Sequence, residues 1–358
     1  MLIAGIGTAV PPFSMSQAEA ALAAKPYADL ANGQERLYDA LYRLSGVARR
    51  GAVILDQADG SIEERQSFYR DVSPTTETRM AKFEAEAKKL AIEASERAID
   101  NAGVTPAEIT HLVTVSCSGF YAPGFDIALA KTLPLRTDIA RTHIGFMGCQ
   151  GAINGLRVAQ SYAASDPGAC VLLCMTELCS LHHKYGWDLE AIVANALFAD
   201  GAAAMIGLPD RGASEGHSLP RVHATGSTIV PDSEDAMSWR IGDHGFVMTL
   251  SSRIPTLIAQ NLRPWLDTWL AKYDHTIASI GSWAIHPGGP RVLSAFSESV
   301  RLDSERFQVS YDVLSEYGNM SSATVMFVIQ KLCQTNAPRP WVAMAFGPGL
   351  TVEVALIV

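Results

Sequence analysis

The stretch Thr142-His-Ile-Gly-Phe-Met-Gly-Cys149-Gln-Gly-Ala-Ile-Asn-Gly-Leu-Arg-Val-Ala159 decides how this chain is read. A run of strand character over 141–146 leads to Gly148, a single cysteine follows, and a helix of small residues over 150–164 leaves almost at once. Strand, elbow and helix make one β/α unit. The elbow aims the Cys149 thiol at the positive end of the helix, where unpaired N–H groups favour thiolate over thiol.

Towards the N-terminus, residues 2–10 predict a strand closed by Pro11-Pro12, and 34–45 a helix. A longer amphipathic helix runs from Thr76 to Asn101, with Met80, Phe83, Leu90, Ala91, Ala94 and Ala98 on one buried face. A strand at 111–116 and a helix starting near Gly124 lead back to the elbow. Beyond it, strand 169–176, helix 187–198 and strand 201–207 complete a β/α alternation. That alternation predicts an α/β protein with a mainly parallel, helix-sandwiched sheet.

Residues 209–220, rich in Gly, Ser and Pro, form the best boundary by composition, and the pattern then restarts. Strand 221–230, helix 253–270, strand 279–285, helices 290–300 and 320–334, and strands 341–346 and 351–358 follow. The division is therefore an N-terminal half, 1–212, carrying Cys149, and a C-terminal half, 213–358, of similar β/α character.

Hydrophobic residues make up 48% of the 358 and charged residues 18%, which describes a globular chain with a substantial core. The net charge of −9 gives no general attraction to nucleic acid or anionic membrane. An anionic substrate would need a local basic patch. The N-terminal residues lack a secretory pattern, and no apolar run approaches the roughly 18–20 residues that span a bilayer, so no membrane insertion and a cytoplasmic location are expected. The six cysteines then read as free thiols. Cys170 and Cys174 lie on one predicted strand about 13 Å apart, too far to share a zinc ion with bonds of about 2.3 Å, so no metal is expected.

Two later segments supply partners for Cys149: His286 in Trp283-Ala-Ile-His-Pro-Gly-Gly-Pro290, and Asn319 in Glu316-Tyr-Gly-Asn-Met-Ser-Ser-Ala323. Singly, each has an ordinary explanation: a buried cysteine acts as a small hydrophobe, and His-Pro-Gly-Gly and Gly-Asn are turn sequences. Together, each at a predicted strand end or beside glycine, they fit carbon–carbon bond formation between thioesters. That chemistry needs a nucleophile to hold an acyl chain, donors to stabilise an enolate oxygen, and a dry cavity.

Gly-Cys149-Gln-Gly-Ala, Ala196-Leu-Phe198-Ala-Asp-Gly-Ala-Ala-Ala, His286-Pro-Gly-Gly-Pro, Tyr317-Gly-Asn319-Met-Ser-Ser-Ala-Thr-Val and Phe346-Gly-Pro-Gly-Leu-Thr-Val-Glu353 occur in this order. With them the chain resembles the type III polyketide synthases, the chalcone synthase superfamily, over nearly its whole length. The resemblance implies a thiolase-like five-layered αβαβα fold from two duplicated halves, a homodimer, and no cofactor beyond the coenzyme A thioester substrates. It implies that Cys149 accepts the acyl group, and that His286 and Asn319 drive decarboxylation of malonyl-CoA and stabilise the oxyanion. Phe198 matches an aromatic gate.

Met248 stands where plant members commonly carry a second gating phenylalanine, Trp239 near a position that is glycine in many of them, and Cys117 in place of a wall threonine. Gly289 and Pro348, in the His-Pro-Gly-Gly and Gly-Pro-Gly motifs, complete the candidate substrate-binding set. Arg43, Arg49 and Arg50 are the candidates for the coenzyme A phosphates. Cys117-Ser-Gly-Phe-Tyr-Ala-Pro-Gly124 resembles bacterial members, several of which extend fatty acyl starters into alkylpyrones or alkylresorcinols.

The expected reaction loads an acyl-CoA starter on Cys149, condenses it repeatedly with malonyl-CoA, and cyclises the product to a pyrone or resorcinol. A ketoacyl-carrier-protein synthase III would instead condense once on a carrier protein. A non-catalytic acyl-CoA-binding scaffold would leave Cys149 no more reactive than Cys333.

Overall fold

The computed structural model describes residues 1–70, 73–211 and 219–358 of the chain. Residues 212–218, which contain the expected boundary between the halves, lie outside the described residues. Strand β1 (Leu2–Ala9) stops just before the proline pair, and β2 (Ser14–Ser16) leads into α1 (Gln17–Ala24), capped by Ser16 and Glu19. Then come α2 (Glu35–Arg43), β3 (Arg49–Gly51), α3 (Ile62–Arg65) and the long α4 (Thr76–Ala102). Thr75 caps the start of α4, and left-handed Gly103 ends it. Its Ala-rich face lies so close to β1 that a Cβ on Gly7 would meet the Ala94 carbonyl oxygen at 2.2 Å.

Next in order are β4 (His111–Ser116), α5 (Phe125–Thr132), β5 (Ala140–Gly145), α6 (Gly151–Ser165), β6 (Val171–Leu178), α7 (Leu189–Leu197) and β7 (Asp200–Leu208). The C-terminal half contributes β8 (Val222–Ile229), the hairpin β9 (Met237–Gly242) and β10 (Gly245–Leu250), α8 (Ile254–Ala271), β11 (Ser282–Ile285), α9 (Pro290–Val300), α10 (Gln308–Tyr317), α11 (Thr324–Gln334), β12 (Trp341–Gly347) and β13 (Thr351–Ile357). Neither the β9–β10 hairpin nor α10 is among the elements expected from sequence.

The two main sheets have the orders β1-β7-β6-β4-β5 and β11-β12-β13-β8. Only β4–β5, β4–β6 and β11–β12 are parallel, so the expectation of mainly parallel sheets is corrected to mixed ones. Part of the reason is local: the tight Gly347-Pro-Gly turn joins β12 to β13 and permits only an antiparallel pair.

Three main cores lie within five layers, the middle one extending to both sides of the central helices. Leu172 and Cys174 of β6 face α4, whereas Val171, Leu173 and Met175 face the other way, towards α6 and α11. This period-two division of an unbroken apolar strand is what burial on both faces requires. The third core packs α8 and α9 on the outer face of the second sheet. Helices α6 and α11 thus form a shared middle layer, and an Arg157–Glu353 ion pair ties α6 to β13. Among the described residues no helix is long and apolar enough to cross a membrane, and no group of three or more His, Cys, Asp and Glu is arranged to hold a metal ion.

Candidate functional site

Cys149 occupies a single 3-10 turn, Gly148–Gln150, between β5 and α6. The turn needs glycine at 148: φ there is +68°, and an added Cβ would lie 2.5 Å from Pro348 Cδ. Elbow and Gly-Pro-Gly turn, separated by some 200 residues in sequence, are thereby packed together.

Asn319 arrives from the other half. Its backbone pairs with the segment that follows α7: Asn319 N–H donates to the Leu197 carbonyl, and Ala199 N–H to the Asn319 carbonyl, both at 2.9 Å. This forms an isolated parallel bridge to Phe198. The Asn319 side-chain oxygen accepts from Ser321 N–H at 2.9 Å, which turns its amide nitrogen to donate towards Cys149. The Ser321 hydroxyl donates to Cys149 Sγ at 3.5 Å and lies 3.1 Å from Cys117 Sγ. Ser321 is absent from the sequence-based candidates, although it lies two residues beyond Asn319 in the same motif.

Burial pushes the Cys149 thiol up to about 12, against the lowering pull of the Ser321 and Asn319 hydrogen bonds. The expected helix-end thiolate is therefore corrected: desolvation outweighs the donors around the sulfur and favours the thiol. His286, at the end of β11, is 1% exposed, and burial brings it down to about 3, so it is neutral imidazole. Both of its ring nitrogens are buried without a hydrogen-bond partner. An unpaired buried imidazole is unfavourable unless something else supplies a partner.

A small cavity is lined by Cys149, Cys117, Phe198, Trp239, Met248 and Pro348 among others. The structure thus brings most of the expected wall residues to Cys149. Trp239 and Met248 are direct cross-strand partners in the β9–β10 hairpin. The indole N–H of Trp239 donates to the Cys117 carbonyl at 2.7 Å, which fixes the ring. Gly289 lies outside this lining; it opens α9 with φ +150°, where a Cβ would meet Leu197 at 3.3 Å. Cys179, one of the six free thiols, also lines the cavity.

Two buried polar residues brace the walls without sequence warning. Glu177 accepts from the backbone N–H groups of Cys117 and Ser118 and from the hydroxyls of Ser118 and Ser322. His182 donates from Nε2 to the Ser118 carbonyl at 2.7 Å, accepts at Nδ1 from Phe246 N–H at 2.9 Å, and stacks on the Phe246 ring. Burial brings His182 down to about 3, consistent with this neutral tautomer.

The three candidate arginines separate. Arg43 and Arg49 are exposed. Arg50 is 4% exposed, with its guanidinium donating to the carbonyls of Asn195, Ala196 and Phe198 and to Gln17. Its assignment to coenzyme A phosphate is corrected, because those donors are already engaged inside the protein.

Two mixed sheets about a shared helical layer make up the thiolase-like fold. Residues 1–210 match the N-terminal domain of chalcone and stilbene synthases and 221–358 their C-terminal domain; the chain belongs to this family, the type III polyketide synthases, which are acyltransferases of the condensing kind. It is 32% identical to the alpha-pyrone synthesis polyketide synthase-like Pks18 of Mycobacterium tuberculosis, covering 98% of this chain and 89% of that protein. It is 36% identical to 1,3,6,8-tetrahydroxynaphthalene synthase of Streptomyces peucetius subsp. caesius, over 75% of this chain and 72% of that one. Among solved structures, PKS-I of the brown alga Ectocarpus siliculosus superposes with a TM-score of 0.92 at 30% identity, covering 99% of this chain and 97% of that one.

Proposed function

We propose that Cys149 accepts an acyl group from coenzyme A, and that His286 and Asn319 hold the thioester oxygen of malonyl-CoA as it loses carbon dioxide. The observation that carries this reading is His286: a neutral imidazole, buried beyond the reach of water, with both nitrogens unpaired. An Nε2–H so held can donate to a developing enolate oxygen without giving up an earlier partner. The Asn319 amide is a second donor, pre-set by Ser321 N–H. The resulting enolate attacks the acyl group on Cys149, the new carbon–carbon bond forms, and the Cys149 sulfur leaves as thiolate, stabilised by the donors at Ser321 and Asn319. Return of the chain to Cys149 permits another round, and cyclisation to a pyrone or resorcinol ends the sequence.

The starter is aliphatic in this reading. A second cavity shares Cys179, Phe198, Trp239 and Met248 with the Cys149 cavity. Its remaining wall includes Met15, Ala20, Ala24 and Ile54, which favours a flexible hydrocarbon chain. Phe198, common to both cavities, acts as the gate. Exposed Arg43 and Arg49 meet the coenzyme A phosphates in solvent. The enzyme works in the cytoplasm as a homodimer; support for the dimer is the open edge of the first sheet at β5, which a second copy would cover.

The test uses single-site variants with separate assays for loading and decarboxylation. His286→Ala and Asn319→Ala should each lower carbon dioxide release from malonyl-CoA on the order of 10²–10³-fold while Cys149 still takes up starter. Undiminished release from both variants would overturn these roles.

A further inference from the structure

We infer that Arg50 is a positioning residue for the condensation, holding the Phe198 gate and the Asn319 donor as one rigid piece. The inference rests on the proposed roles of those two residues. Helix α7 ends at Leu197, and Phe198 is its C-cap. The last carbonyls of a helix have no intrahelical donor, and together they carry its negative end. Arg50, buried on β3, supplies that donor: one guanidinium nitrogen bonds the Asn195 carbonyl at 2.9 Å and the Phe198 carbonyl at 2.7 Å, and the other bonds Ala196. Gln17 Nε2 adds a bond to Ala196 O at 2.9 Å, and Gln17 Oε1 accepts from the Arg50 guanidinium.

The positive charge has no carboxylate in direct contact; Asp200 acts on it only at longer range. It is therefore directed at the helix end. The segment so held is the one that pairs with Asn319, through Leu197 O and Ala199 N on either side of Phe198. Arg50 also backs that pairing from the other side. Gly318, with φ +75°, leaves room there: a Cβ at 318 would lie 3.5 Å from Arg50 Cβ and 3.2 Å from Leu197 O.

One guanidinium thus fixes the main chain beneath the gate and, one bridge further on, the main chain of the amide donor. Cys149 hangs from the β5–α6 elbow and has no such bond to Arg50. Loss of the clamp should then impair the enolate-forming half-reaction more than acyl transfer to sulfur. A donor shifted by about 1 Å can lose roughly 10²-fold in rate.

The experiment compares Arg50→Gln and Arg50→Lys with the unaltered protein in three measurements: single-turnover acylation of Cys149 by a fatty acyl-CoA, carbon dioxide release from malonyl-CoA, and product distribution. Arg50→Gln should lower carbon dioxide release by tenfold to about 10²-fold, leave acylation within a few-fold, and broaden the product range. Lysine, which restores the charge but not the fork, should recover part of the loss. A purely structural role would lower both half-reactions in proportion to the folded fraction.

Equal losses, or no loss in folded protein, would overturn the inference. Should Arg50→Gln fail to fold, Gln17→Leu weakens the same clamp and should reproduce the split in milder form; an equal loss in that variant would count equally against it. If the unaltered protein releases no carbon dioxide from malonyl-CoA, the proposed function fails and not the clamp.

Discussion

The chemistry of Cys149 depends on a neighbour, Ser321, that its residue type does not single out. The thiol is raised by burial and lowered by the Ser321 hydroxyl and the Asn319 amide. Deleting a donor that favours the thiolate raises the thiol pKa, so at a given pH the reactive fraction falls. Ser321→Ala should therefore shift the iodoacetamide profile of Cys149 to higher pH and slow alkylation at neutral pH; an unmoved profile would remove Ser321 from the site. At this scale the sequence was most legible where chemistry is concentrated in one residue type. Cys149, His286 and Asn319 could be picked out from residue type and glycine neighbours. Ser321, Glu177 and His182 could not, since a serine in a Ser-Ser pair and polar residues within an apolar run look the same whether they line a cavity or not.

The elements that shape the cavity are the elbow and the β9–β10 hairpin. At the elbow, Gly148→Ala places an L side chain on a backbone of φ +68° and a Cβ 2.5 Å from Pro348. The substitution should cost on the order of 1–3 kcal/mol in denaturant unfolding and displace Cys149 enough to slow its alkylation. The hairpin went unseen in sequence because its strands are short and mostly half-exposed, and the alternation of β9 (Met-Ser-Trp-Arg-Ile-Gly) is not continued in β10, where Phe246, Val247 and Met248 are consecutive. Its turn, Gly242-Asp-His-Gly245, was the available signal. Trp239, held there by the Cys117 carbonyl, separates space that a smaller residue would open. Trp239→Gly should move the product profile towards longer or bulkier chains, read by mass spectrometry across a series of acyl-CoA starters. An identical profile would show that the indole does not bound the growing chain.

Over the whole molecule, β/α alternation and a repeat of the pattern were enough to anticipate two halves built around helical layers. Strand direction was not, because a helix between two strands in sequence need not be a crossover between parallel neighbours: α7 separates β6 from β7, yet those two strands are antiparallel. Arg50 failed as a phosphate ligand for a similar reason. A basic triplet in sequence says nothing about which member turns inward, and the tertiary demand of a helix end took this one. The halves are further joined by Arg157 and Glu353, the latter 4% exposed. Arg157→Leu strands a buried carboxylate and should destabilise the fold by on the order of 3 kcal/mol in denaturant unfolding. Adding Glu353→Leu should return part of that loss, and a double variant no more stable than the single would argue against charge burial as the cause.

The central claim is that the Cys149 thiol carries the growing chain while His286 and Asn319 generate the enolate. Peptide mass spectrometry after rapid mixing tests it most directly. With a fatty acyl-CoA alone, the account predicts an acyl adduct confined to the Cys149 peptide; addition of malonyl-CoA should then discharge it as lactone or resorcinol, with carbon dioxide released. An adduct on Cys117, Cys179 or Cys333 instead, or product formation that survives Cys149→Ala, would contradict it.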